Sequence, residues 1–209
     1  MPTNLEAKTR KCCIGLILVA LSSSACRSPQ DAPSACPHGF EQNDAAASRI
    51  TSTLAQTPEG KALLEETRTR DGLRFCFGRR DVSAVTTEGV LLFDNTLANN
   101  EAASRLAHLL HHVADGLSPT PKEGETCEKT VERLLQREAD ALALEITLRR
   151  TLEVHAPKIS YEFETTFWQT PAEGRAPLLF AYLKDHPDGA PGIDALASGY
   201  ERRCRLGLR

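Results

Sequence analysis

From residue 127 to residue 153 the chain reads CEKTVERLLQREADALALEITLRRTLE, with no Gly or Pro to interrupt it. Helix formers dominate the stretch and nothing in it removes a backbone donor, so it is expected to be one long helix, and the rest of the chain has to pack along it. At about 100° per residue, with Val131 as the centre, Leu134, Leu135, Ala141, Leu142, Ile146 and Leu152 fall on one face. Glu138 falls in the middle of that face and Asp140 points the opposite way. Glu138 is therefore expected to be at least partly buried. A carboxylate in that position has to be protonated, paired or bound to a metal, because an isolated buried charge is too costly to keep. A competing explanation is also on the helix: Glu145 and Arg149 share the face as an i, i+4 pair, which suits a part-wet stripe with Glu138 meeting an arginine elsewhere.

A second helix, expected over about 101–114, carries the run AHLLHHVAD with His108, His111 and His112. His108 and His112 are four residues apart, hence about 40° apart on one face and one turn apart along it, and their imidazoles can share one ion. His111 projects to the side and is a neighbour. Ala102, Leu106, Leu109 and Val113 form an apolar stripe, with Glu101, Arg105, His108 and His112 as a polar strip beside it. Taken by itself this strip reads as the solvated face of an amphipathic helix, and the i, i+4 pair Glu101–Arg105 favours its exposure. Set against the long helix, His108 and His112 would satisfy Glu138, with or without zinc.

Around these two helices the sequence implies an α+β, mainly helical fold. A helix is expected over about 43–56, and Thr57-Pro58-Glu59 caps a short second one to about 67. Alternation at Leu73, Phe75 and Phe77 and the apolar run VLLF predict strands near 73–78 and 89–93, in one small antiparallel sheet. Residues 117–125 read as a loop. Beyond Pro157, ISYEFETTFW fits either an extended piece or a helix, 175–184 looks helical, and 193–203 is a last helix leading to Cys204.

The segments GVLLFDNTLANNEAASRLAHLLHHVADG (89–116) and READALALE (137–145) together resemble the zincin metallopeptidases, particularly the gluzincin-like membrane and envelope peptidases. The likeness covers roughly 85–150 and implies a zincin-like arrangement: a small sheet, a His-bearing helix and a long Glu-bearing helix. It implies zinc ligands at His108, His112 and Glu138. In some members the ligand glutamate stands four residues before the Asp, where this chain has Gln136, but Gln136 lies on the polar side of its helix. The general-base glutamate of HExxH is replaced by Leu109. Leucine accepts no proton, and general-base help is worth about 10² to 10⁴ in rate.

The N-terminus reads as an export signal. Lys8, Arg10 and Lys11 precede the uncharged segment CCIGLILVALSSSA, which is too short to span a bilayer as a helix. It closes as SSSAC, similar to the bacterial lipoprotein cleavage box with Ser23 where leucine is usual, so that residues 1–25 are removed and Cys26 is lipidated. Ordinary signal cleavage to a secreted protein is the alternative. Residues 26–39 then form a Pro- and Ser-rich tether, and 40–209 one globular domain. Cys36, Cys76, Cys127 and Cys204 remain, an even number for an oxidising compartment, with three connectivities open. With 25 basic against 28 acidic residues and no basic block, nucleic acid is not an expected partner.

The sequence thus points to an exported, lipid-anchored protein of the bacterial cell envelope whose degenerate zincin-like domain acts as a binding or scaffolding module. Its expected partners are the membrane, through the anchor, and an envelope protein or peptide. The alternatives are an active zinc peptidase with an unusual base, and a metal-free helical envelope lipoprotein.

Overall fold

In the computed structural model the described residues are 36–68, 73–79, 83–117 and 119–207. The expected signal, Cys26 and residues 26–35 of the tether lie outside them. A two-residue strand β1 (Glu41–Gln42) leads into α1 (Asp44–Leu54), where the Asn43 side chain accepts the Ala46 N–H at 2.9 Å. Helix α2 (Pro58–Thr67) starts as its sequence requires: the Thr57 hydroxyl accepts the Gly60 N–H at 3.1 Å, and Pro58 sits in the first turn, where its missing N–H costs nothing. Gly60 is where α2 passes the end of α1; a Cβ there would lie 2.3 Å from the Leu54 carbonyl oxygen.

Strands β2 (Arg74–Gly78), β3 (Ala84–Val85) and β4 (Val90–Asp94) complete a four-stranded sheet in the order β1-β2-β4-β3. The sheet is mixed, where an antiparallel one was expected. β2 and β4 run parallel, with Phe75 beside Leu91 and Phe77 beside Phe93, while β1 and β3 pair antiparallel on the two edges. The chain crosses over from β2 before forming the tight β3–β4 hairpin, whose turn needs Gly89 at φ 79°. Alternation fixes which way side chains face; it does not fix strand direction.

Helix α3 (Asn99–Asp115) is closed by Gly116 at φ 90°, and α4 (Cys127–Thr151) is capped by Thr126, whose hydroxyl accepts the Lys129 N–H at 3.4 Å. The ambiguous ISYEFETTFW turns Tyr161 and Phe163 into the core and becomes helical as α5 (Glu164–Gln169); α6 (Ala172–Asp185) and α7 (Leu196–Arg205) follow. The protein is α+β and mainly helical.

Two apolar clusters flank α4. One joins α1, α2, the sheet and the apolar stripe of α3, and receives Leu148 and Leu152. The other packs Leu135, Ala139, Leu142 and Ile146 against Phe167, Leu179 and Leu183. The disulfides are Cys36–Cys76, which ties the expected tether segment to β2, and Cys127–Cys204, which joins the start of α4 to α7. Closing loops of 40 and 77 residues removes unfolded-chain entropy worth about 4 kcal/mol each. Both bridges fit an oxidising location, extracellular or in the envelope. Among the described residues no helix is long and apolar enough to cross a membrane.

Candidate metal centre

Helix α3 brings its polar strip against α4 instead of into water. Glu101 and His108 are buried, and Arg105 is nearly so. The expectation of a solvated face fails because each strip residue finds a partner on another element. The Glu101 carboxylate accepts the Ile159 N–H at 3.1 Å, and the Arg105 Nη1 donates to Glu145 at 2.9 Å. The Glu101–Arg105 pairing read from sequence is thereby replaced by contacts between elements. The α4 stripe is likewise dry: Glu138, Glu145 and Arg149 are all buried.

His108, His112 and Glu138 converge. His108 Nε2 lies 3.2 Å from Glu138 Oε1, His112 Nε2 lies 3.0 Å from Glu138 Oε2, and the two Nε2 atoms are 3.1 Å apart. Donors held about 2.0–2.1 Å from a tetrahedral ion stand about 3.3 Å from one another. The two imidazoles already stand at nearly that spacing, each facing a different oxygen of Glu138, and one donor atom from each of the three residues lies within 4.8 Å of the others. Two imidazoles and a carboxylate suit zinc, and three protein donors leave a fourth position open.

The residue that makes this more than a hydrogen-bonded trio is Glu145. Its Oε2 lies 3.0 Å from His108 Nδ1, though not in line for a straight hydrogen bond, so His108 stands between two carboxylates. A neutral imidazole has one N–H. With it turned to Glu145, the Nε2 lone pair would face the Glu138 carboxylate unless a proton or a metal cation lies between them. Burial by itself would lower the His108 pKa, but Glu138 and Glu145 outweigh it and raise it. Burial would raise the pKa of Glu138, yet the two histidines hold it well below the usual carboxylate range. Both directions are those of an imidazolium paired with a carboxylate.

Glu145 is itself fixed by Arg105, by Arg149 Nη2 at 2.6 Å and by the Tyr161 hydroxyl at 3.3 Å. This supporting shell was missed in the sequence. The Glu145–Arg149 pair is real, but its meaning depended on Arg105 and Tyr161 arriving from other elements. The one available signal was that the α3 strip and the α4 stripe carry complementary charges.

The remaining residues fall where the wheel placed them. Gln136 is half-buried and donates to Asp140 at 3.1 Å, away from the trio. His111 lies beside the trio, with Nδ1 3.5 Å from Asp115, and burial lowers its pKa. Leu109 is buried, packs in the first apolar cluster and lines the cavity above the trio, supplying no proton acceptor there. Among the described residues Glu138 and Asp194 are the carboxylates lining that cavity. Compared with protein-family models, curated proteins and solved structures, the chain matches none.

Proposed function

We propose that this chain is an exported, lipid-anchored envelope protein whose zincin-like domain holds zinc on His108, His112 and Glu138 and serves as a binding or scaffolding module with impaired hydrolysis. The observation that carries the metal is His108 held between Glu138 and Glu145, with a third donor on His112 Nε2. The observation against hydrolysis is Leu109 on the cavity wall where the base would stand. The resemblance is supported by the order of β4, α3 and α4 and by the convergence of the very side chains it singles out.

Zinc in this site would supply Lewis acidity toward a bound carbonyl or water. The chain's own part is to orient His108 through Glu145, to keep water from the seam with Leu109 and Leu142, and to offer three donors. It places no proton acceptor beside Leu109. Envelope location is supported by the two disulfides, and anchoring by the SSSAC box at Cys26.

Metal analysis of the exported protein, paired with Leu109→Glu, tests the reading. It predicts about one zinc per chain, no proteolysis by the wild type, and cleavage gained in Leu109→Glu. Wild-type cleavage that disappears in His112→Ala would favour the active peptidase instead. Asp194 is the residue to substitute next in that event, because it is the cavity's other carboxylate. Radiolabelled palmitate incorporation that is lost in Cys26→Ser tests the anchor.

A further inference from the structure

The cavity above the trio has a volume of about 1110 Å³, at or above the upper end for small-molecule sites. Residues 83–87, which include β3, line it, and among the described residues β3 pairs with β4 on one side only. A free strand edge offers alternating backbone donors and acceptors to an extended chain. Leu109, Leu117, Leu134 and Leu196 also line it and suit apolar side chains.

The charge of the cavity is unbalanced toward cations. Arg105, Arg137 and Arg203 line it, against Asp194 once Glu138 is engaged by the histidines. Arg137 is taken up by Asp115 at 3.3 Å and by the Gly116 carbonyl. Arg105 bonds Glu145 through Nη1 while its Nε is buried without a hydrogen-bond partner. Arg203 stands exposed on α7 and has no ion-pair partner among the described residues. The surplus is guanidinium, the group best shaped to take a carboxylate.

We infer that this cavity receives the C-terminal end of an extended apolar polypeptide, its backbone along β3 and its free carboxylate at Arg203, within the field of Arg105. The inference rests on the reading of the site as one that binds without cutting. Charge and shape select the ligand together: phosphate alone would match the arginines but leave the strand edge and the leucines unused.

The test uses the exported protein with both disulfides intact and a fluorescein-labelled apolar pentapeptide in two forms, free acid and C-terminal amide, followed by fluorescence anisotropy. The free acid should bind about tenfold or more tightly, since a charge-assisted hydrogen bond is at stake. In Arg203→Gln the preference should shrink to about threefold or less. Equal binding of the two forms, no binding of either, or an acid preference that survives Arg203→Gln would each overturn the inference. So would inorganic phosphate binding as tightly as the acid peptide. Zinc is measured in the same samples, which separates the two proposals. Zinc held with no acid preference sinks only the chain-end inference, and an acid preference without zinc sinks only the metal site.

Discussion

Helix α4 has two buried sides built on opposite principles. Toward α5 and α6 it presents Leu135, Ala139, Leu142 and Ile146 to Phe167, Leu179 and Leu183, an apolar seam whose stabilisation grows with the area removed from water. Toward α3 it presents Glu138 and Glu145 to Arg105, His108 and His112. Desolvating those charges consumes much of what their pairing returns, and apolar residues of similar volume would hold two helices together as well or better. The difference teaches what sets the α3–α4 seam apart: it gathers side chains that could hold a cation, and its stability is conditional on full pairing.

The sharpest way to break the comparison is to remove one partner from each seam. Glu145→Ala leaves Arg105 and His108 Nδ1 without their carboxylate in a dry site and Arg149 with Glu164 alone at 3.5 Å, and it should cost about 3 to 5 kcal/mol in urea unfolding. Loss of metal affinity should accompany it. Leu179→Ala, in the apolar seam, should cost about 2 to 5 kcal/mol through the cavity it leaves. That cost should be the same with and without chelator, because Leu179 does not line the cavity above the trio. An equal chelator response in both variants would erase the distinction.

Metal removal is the next effect in size. A ligand present at a hundred times its dissociation constant stabilises the folded state by about 2.7 kcal/mol. Chelation should lower the melting temperature of the wild type accordingly and leave His112→Ala, a half-buried position, unmoved.

The smallest effect lies outside both seams, at the end of β4. Burial would raise the Asp94 pKa, but Lys158 Nζ at 2.5 Å and the Thr96 N–H and hydroxyl lower it. A carboxylate with a depressed folded pKa adds stability that is complete above its unfolded pKa and is lost as pH falls through the folded one. Asp94→Asn should therefore flatten the acid limb of the stability curve by about 1 kcal/mol or less, since Lys158 is part-exposed. Zinc content should not change.

Much of this was legible in the chain, and the parts that were not share a cause. The cap at Thr57, the uninterrupted α4, and the direction of Glu138 on it are local properties of the sequence, and each appears where local rules place it. The pairing of His108 and His112 with Glu138 was one of the readings the helical wheels left open, and the one the zincin resemblance implies. The parallel pairing of β2 with β4 was not reachable, since it depends on a crossover that alternation does not record. The burial of Glu101 and Arg105 was read the wrong way round, because a wheel shows which residues share a face and not what covers that face. Glu145 carried a nearby explanation in Arg149, which hid its role behind His108. Of three disulfide connectivities, only the fold selects the one that ties Cys36 to Cys76 and Cys127 to Cys204.

The central claim is that His108, His112 and Glu138 close around one zinc ion. The most direct measurement is the X-ray absorption spectrum of the zinc-loaded exported protein at the zinc edge. The account predicts a first shell of nitrogen and oxygen donors near 2.0–2.1 Å, with the outer-shell scattering of two imidazoles. A shell with one imidazole or none, or with sulfur, would contradict it.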